Sequence, residues 1–143
     1  MASWGEVEAE APELAARARS LFDAFTHKTM ATLRRDGSPR ISGTEVEFSG
    51  GELFIGSMSR AVKALDLQRD PRFAIHSGSA DPPDWPGDAK IAGRAEEVSK
   101  PGADSHRFRL DISELVVVRL GDPADHLVIE SWHEGRGVSS IRR

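Results

Sequence analysis

The sequence predicts a mostly-β (α+β) domain, a closed or nearly closed antiparallel barrel with flanking helices. Three observations carry that prediction. From about residue 26 onward, short β-prone runs alternate with turn signals. Helical periodicity is confined to two stretches, one at the N-terminus and one inside the chain. Most runs follow one another through hairpin-like turns, and closing such a sheet removes the exposed edges it would otherwise carry.

The N-terminal segment, 1–25, reads as one amphipathic helix packed on the barrel. Val7, Ala11, Leu14, Ala18, Leu21, Phe22 and Phe25 recur at steps of three and four, and Glu8, Arg17 and Arg19 fall off that stripe. Pro12 is tolerated near a helix start. Residues 26–143 form the barrel. A first strand covers Lys28–Arg34, followed by the turn Asp36-Gly37 and Pro39. A second covers Arg40–Phe48, where Glu45-Val46-Glu47-Phe48 alternate and Gly43 suggests a bulge. Gly50-Gly51 leads into Glu52–Gly56, completing a three-strand meander.

The internal helix covers about Ser59 to Gln68 and stops at Asp70-Pro71. In it Val62 and Leu65 are expected to face inward. Phe73–Ser77 is a strand, and 78–87, with three prolines and Trp85, is a loop. Asp88–Val98 alternates Ala89, Ile91, Gly93 and Ala95 against Lys90, Arg94 and Glu96. Phe108–Leu120 is a long strand with an apolar centre at Leu115–Val118, and His126–His133 is its hairpin partner. That makes seven strands.

Composition bounds the function. At 143 residues, 38% apolar and 29% charged, the chain matches one globular domain. Its 19 basic and 23 acidic side chains lack the basic surplus of a nucleic-acid binder. No run approaches the roughly 18 apolar residues of a membrane span. The first ten residues hold three glutamates and no Lys or Arg, unlike a secretory signal. The absence of cysteine excludes disulfides, thiol catalysis and cysteine metal sites, and that of tyrosine removes a common acid. A cytoplasmic protein is expected. The five histidines show no i,i+4 pair, so no metal site is expected. No Gly-x-Ser-x-Gly elbow is present.

The stretch Ile55-Gly56-Ser57-Met58-Ser59-Arg60-Ala61-Val62-Lys63 carries the most chemistry. A strand ends, two serines follow, and a helix begins with Arg60 and Lys63 on one face of its first turn. Helix N-termini favour anions, so two cations there oppose the macrodipole unless an anion such as phosphate sits between. The alternative reading is two solvated cations beside acids such as Asp66.

Ala31-Thr32-Leu33, Asp36-Gly37-Ser38-Pro39, Leu53-Phe54-Ile55-Gly56, the Ser59-Arg60…Lys63 stretch and Leu67-Gln68-Arg69-Asp70-Pro71-Arg72 occur in an order that resembles the pyridoxamine-phosphate oxidase-like flavin-binding split barrels. Ile91-Ala92-Gly93-Arg94-Ala95-Glu96 is similar to their Gly-Arg-Ala strand, and Glu130–Gly137 to their last strand and turn. The likeness spans about residues 26 to 143. It implies a six- to seven-stranded antiparallel split β-barrel binding FMN, usually as a homodimer with the cofactor at the interface. By that resemblance Ile55, Gly56 and Ser57 lie beside the flavin. Arg60 and Lys63 grip its phosphate with Ser59 in the same turn, and Arg40 to Ser42 approach the ribityl-phosphate. Trp132 and Arg142 touch the flavin, in the homodimer that of the partner's site; the alternative for Trp132 is a core plug in the barrel wall.

The sequence departs from the namesake oxidases where they bind substrate. After Trp132 the positions of their middle Arg and His hold Val138 and Ser140. Neither can neutralise a substrate phosphate, so vitamin B6 oxidation is not expected. A flavin-contacting Gln five residues before Gly93 is Asp88, and the Ser-Arg to Lys spacing is two residues longer. The expectation is therefore an FMN-dependent oxidoreductase with an unknown small-molecule substrate. The alternatives are a deazaflavin-dependent reductase, a non-catalytic flavin-binding protein and, more distantly, a haem binder. His76 reads as a hydrogen-bonded strand residue, and the Leu115–Val118 wall as a candidate dimer interface.

Overall fold

A computed structural model describes residues 1–143. The N-terminal stripe folds as two helices rather than one, α1 (Trp4–Glu10) and α2 (Pro12–Asp23). Pro12 has no N–H and disfavours helical geometry at the residue before it, so Ala11 breaks out at φ −136°. Ser3 caps α1 by accepting a hydrogen bond from the Glu6 N–H. Val7, Leu14, Ala18, Leu21 and Phe22 face the core as expected. Phe25 lies beyond α2, largely exposed, with its ring against Gly78.

The strands are β1 (Lys28–Leu33), β2 (Pro39–Thr44), β3 (Glu47–Ser49) and β4 (Glu52–Met58), then, after helix α3 (Val62–Arg69), β5 (Arg72–His76), β6 (Asp88–Glu97), β7 (Ser105–Leu120), β8 (Leu127–His133) and β9 (Gly137–Arg142). They form one antiparallel sheet in the order β2-β1-β5-β6-β7-β4-β3, with the β8–β9 hairpin attached to β7. On one edge β7 pairs with β6 over nearly its whole length. On the other, its first residues pair with β4 and its last seven with β8. The sheet therefore divides at β7, which is the split of a split barrel.

Nine strands stand where seven were expected. The Arg40–Phe48 run divides at Glu45-Val46, so β2 pairs only with β1 and β3 only with β4. There is no three-strand meander. Gly43 pairs in register with Thr29, and no bulge occurs there. The bulge lies at Gly93, where the β6–β7 register slips past Ser113. A Cβ on Gly93 would fall 1.8 Å from the Asp111 carbonyl oxygen, so that close approach requires glycine. The ninth strand, β9, follows the turn after Trp132, where Val138-Ser139-Ser140 gave too little alternation to be read.

One face of the sheet meets the helices. Met30, Ile55, Ile75, Ile91, Phe108, Leu110, Ile112, Leu115 and Val117 point inward against α1, α2 and α3. The other face carries Ala31, Ile41, Ala74, Ala92 and Val118 and is covered by no helix. No helix is long and apolar enough to cross a membrane.

Candidate functional site

The cationic turn is built by the end of β4. Leu53 and Ile55 are buried, whereas Gly56 and Met58 are exposed at the strand's end. The Ile55 side chain is part of the core. Past Met58 the chain turns, with the Ala61 N–H donating to the Met58 carbonyl at 3.1 Å. Arg60, the third residue of this turn, has φ +63°. It is the one non-glycine residue in the left-handed region, which costs an L-residue about 1–2 kcal/mol. A left-handed residue cannot continue a right-handed helix, so α3 starts at Val62 with Ala61 as N-cap. Arg60 and Lys63 therefore do not share one helical face. Arg60 sits in the turn, and Lys63 on the first turn of α3.

His106 on β7 holds the strained residue. Its Nε2 accepts from the Arg60 backbone N–H at 3.2 Å, and its Nδ1 lies 2.6 Å from Glu97 Oε2. A backbone N–H can only donate, so the ring proton is on Nδ1 and is given to Glu97. The same contact, with help from Gln68 and Ser99, holds the Glu97 carboxyl below its ordinary range. The Arg60 guanidinium makes no ion pair.

Lys63 crosses to β2. Its Nζ donates to the Gly43 carbonyl at 2.7 Å, and no carboxylate lies within ion-pair distance. Burial alone pushes its pKa below the ordinary lysine value, with no acid opposing the shift. One residue away on β2, the Ser42 hydroxyl oxygen is buried with no hydrogen-bond partner. A half-desolvated ammonium and an orphaned hydroxyl on adjoining elements are the donor set a phosphate requires, so the residues fit the group the sequence implies.

Asp66, offered as a neighbour for these cations, serves others. It is 2% exposed and accepts from Thr32 Oγ1 at 2.8 Å, Arg40 Nε at 2.7 Å and an Arg69 NH2 at 3.0 Å. Burial alone would raise its pKa, but the hydrogen bonds from Arg40, Thr32 and Arg69 outweigh it and hold the carboxyl below its ordinary range. Sequence reasoning missed this network, although Asp66 and Arg69 at i,i+3 were a signal. It also reversed the helix. Ala64, Asp66 and Leu67 face inward, and Val62 and Leu65 are exposed.

The two remaining predicted residues lie at the other end of the sheet. Trp132 on β8 is 1% exposed, and its indole N–H donates to Glu10 Oε2 at 2.7 Å. It packs as a core plug beneath the N-terminal helices. Arg142 on β9 pairs with Val128 and is exposed without an ion-pair partner. Asp88 accepts from the Trp85 indole N–H at 3.2 Å, and His76 Nδ1 lies 2.6 Å from the Ser77 carbonyl.

No family model and no curated protein matches the sequence. Solved structures do match. A pyridoxamine 5'-phosphate oxidase-related, FMN binding protein from Nostoc punctiforme superposes with a TM-score of 0.65 at 16% identity, over 96% of each chain. PhzG from Burkholderia lata, solved with tetrahydrophenazine-1-carboxylic acid, gives 0.68 at 9% identity over 96% of this chain and 91% of that one. An F420 reductase gives 0.55 at 17% identity over 68% of this chain and 94% of that one. At these identities the likeness is one of fold, and the chain has the split-barrel fold that these proteins share.

Proposed function

We infer that this chain binds a phosphorylated flavin, FMN, and acts as a flavin-dependent oxidoreductase other than a pyridoxamine-phosphate oxidase. The observation that carries the reading is Lys63, a partly buried ammonium whose only partner is a neutral carbonyl. A phosphate supplies the charge it lacks. Lys63, the Ser42 hydroxyl, Ser59 and Arg60 hold that phosphate, and the backbone from Ile55 to Ser57 borders the ring. His106 fixes the strained Arg60 turn before the ligand arrives. When bound, the flavin ring supplies hydride and electron transfer, so no residue of the chain is assigned as acid or base.

The uncovered sheet face supports a homodimer. Ile41 is 73% exposed there, in one cross-strand row with Ala31, Ala74 and Ala92, and a second row runs from Val118 through Ile129 to Ile141 on β9. The Leu115–Val118 run serves both faces, with Leu115 and Val117 in the core and Val118 outside. In the dimer Arg142 approaches the partner's cofactor. Light scattering is expected to give twice the chain mass, and a monomer removes the interface.

A deazaflavin coenzyme is the second reading. Asp88 stands where a flavin-contacting amide is expected, and it offers only acceptors, one of them already taken by Trp85. Titrations with FMN, riboflavin and the deazaflavin test both. FMN is expected to bind at least tenfold more tightly than riboflavin, which has no phosphate. Equal affinities discard the phosphate anchor, and binding of the deazaflavin alone replaces the first reading with the second.

A further inference from the structure

A concentration of cations lies outside the Lys63 site. Between the β1–β2 turn and α3 is an open groove of about 530 Å³, which is within the usual range of small-molecule sites. Four guanidiniums line it. Arg34 and Arg35 come from the turn, Arg40 from β2 and Arg69 from the last turn of α3. Lys63 and Ser42 are not part of it. Lys63 reaches Gly43, three residues along β2 from Arg40, or roughly 10 Å at strand spacing.

The acids of the groove are already committed. Asp66 is buried on its floor and orients Arg40 and Arg69. Asp36 accepts from both the N–H and the hydroxyl of Ser38, at 2.9 and 2.6 Å, within the turn itself. Arg34 is pinned by a bond to the Pro39 carbonyl at 2.6 Å, and Arg69 also donates to the Leu33 carbonyl. A guanidinium carries five N–H groups, so these contacts orient Arg34, Arg40 and Arg69 and leave most of their donors, and those of Arg35, without a protein partner. Four cations against two carboxylates leave a net charge of +2, with Arg40 and Arg69 brought together by their shared Asp66 and Arg34 and Arg35 adjacent in the turn. The opposite wall is apolar, with Val62 51% and Leu65 47% exposed.

We propose that this groove is a second ligand site, for the diphosphate of a nucleotide. One phosphate sits against Arg40 and Arg69 and the next against Arg34 and Arg35, as the bidentate geometry of guanidinium and phosphate allows. The nucleoside lies on Val62 and Leu65. Two sources share this chemistry, a free nucleoside diphosphate and a dinucleotide coenzyme. The site is distinct from the Lys63 anchor, which uses none of Arg34, Arg35 and Arg69; Arg40, which the resemblance places near the ribityl-phosphate, is held here by Asp66.

Calorimetry on the full chain at low salt tests the proposal with ADP, inorganic pyrophosphate and orthophosphate, for the parent, the double variant Arg34→Ala/Arg35→Ala, Arg35→Ala alone and Lys63→Met. Arg35 makes no side-chain hydrogen bond or ion pair, so its removal is expected to keep the fold intact even if loss of the Arg34–Pro39 contact does not. ADP and pyrophosphate are expected to bind at least tenfold more tightly than orthophosphate. The double variant is expected to lose that preference and Arg35→Ala to lose at least threefold of it, both with FMN affinity unchanged. Lys63→Met is expected to leave ADP binding intact. Tighter binding of NADH than of ADP identifies a dinucleotide as the source, and weaker or equal binding identifies a free nucleotide. ADP binding no tighter than orthophosphate, or indifferent to Arg35→Ala, or abolished by Lys63→Met, overturns the proposal.

Discussion

Replacing Lys63 by methionine separates a functional cation from a structural one. The ammonium is partly desolvated and has one neutral partner, the Gly43 carbonyl at 2.7 Å. In the empty protein two effects oppose each other. A charge-assisted hydrogen bond is lost, and the cost of burying an unpaired cation is relieved. The stability of the empty protein is expected to stay within about 1 kcal/mol of the parent. Ligand binding has no such compensation. The phosphate loses a charge-assisted contact worth about 1.5–3 kcal/mol, so FMN affinity is expected to fall about 10- to 100-fold. Burial holds the folded pKa of Lys63 below 10.5. Between the folded and unfolded pKa values the unfolded chain binds more protons, so stability of the empty protein rises with pH in that window. FMN affinity falls over the same window as the ammonium deprotonates. Both slopes should vanish in Lys63→Met. Urea melts and fluorescence titrations from neutral to alkaline pH measure them. A variant that loses several kcal/mol when empty yet binds FMN like the parent refutes the reasoning.

Three further outcomes follow from the packing. Gly93→Ala places a Cβ 1.8 Å from the Asp111 carbonyl oxygen, so the β6–β7 bulge must open, at a cost of about 3 kcal/mol or more by thermal melt. Trp132→Phe removes the N–H given to Glu10 and is expected to lower stability by about 1–3 kcal/mol while leaving FMN affinity unchanged. A fall in affinity without a fall in stability would return Trp132 to the cofactor. Asp66→Asn breaks a buried carboxylate that holds two guanidiniums and is expected to cost about 3–5 kcal/mol at neutral pH. In the parent the folded pKa of Asp66 is depressed, so its contribution is present above the ordinary carboxylate range and is lost as pH falls through the folded value. The variant's deficit should therefore shrink in acid, as seen in melts from pH 7 downward.

The sequence was most legible where local pattern and burial agree. The strict alternation of Ala89, Ile91, Gly93 and Ala95 identified a half-buried strand, and the N-terminal stripe identified the helical cover, because each position has one possible face. Where two elements share an apolar run, pattern alone failed. Glu45-Val46-Glu47-Phe48 alternates across a break, since β2 and β3 take different partners and alternation says nothing about pairing. In α3 the apolar Val62 and Leu65 looked inward, yet Asp66 takes the interior because Thr32, Arg40 and Arg69 satisfy its charge. Only Arg69, at i,i+3, is a local signal; Thr32 and Arg40 lie on other elements and no local pattern reveals them. The cationic turn was found from the order of residue types, and its internal geometry was not. The left-handed Arg60 and its support by His106, 46 residues away, are tertiary facts.

The most direct measurement is a crystal structure of the FMN complex. The account predicts the phosphate within hydrogen-bond distance of the Lys63 ammonium and the Ser42 hydroxyl, with Lys63 drawn off the Gly43 carbonyl and Arg60 still left-handed. A phosphate bound elsewhere, with Lys63 remaining on that carbonyl, would contradict it.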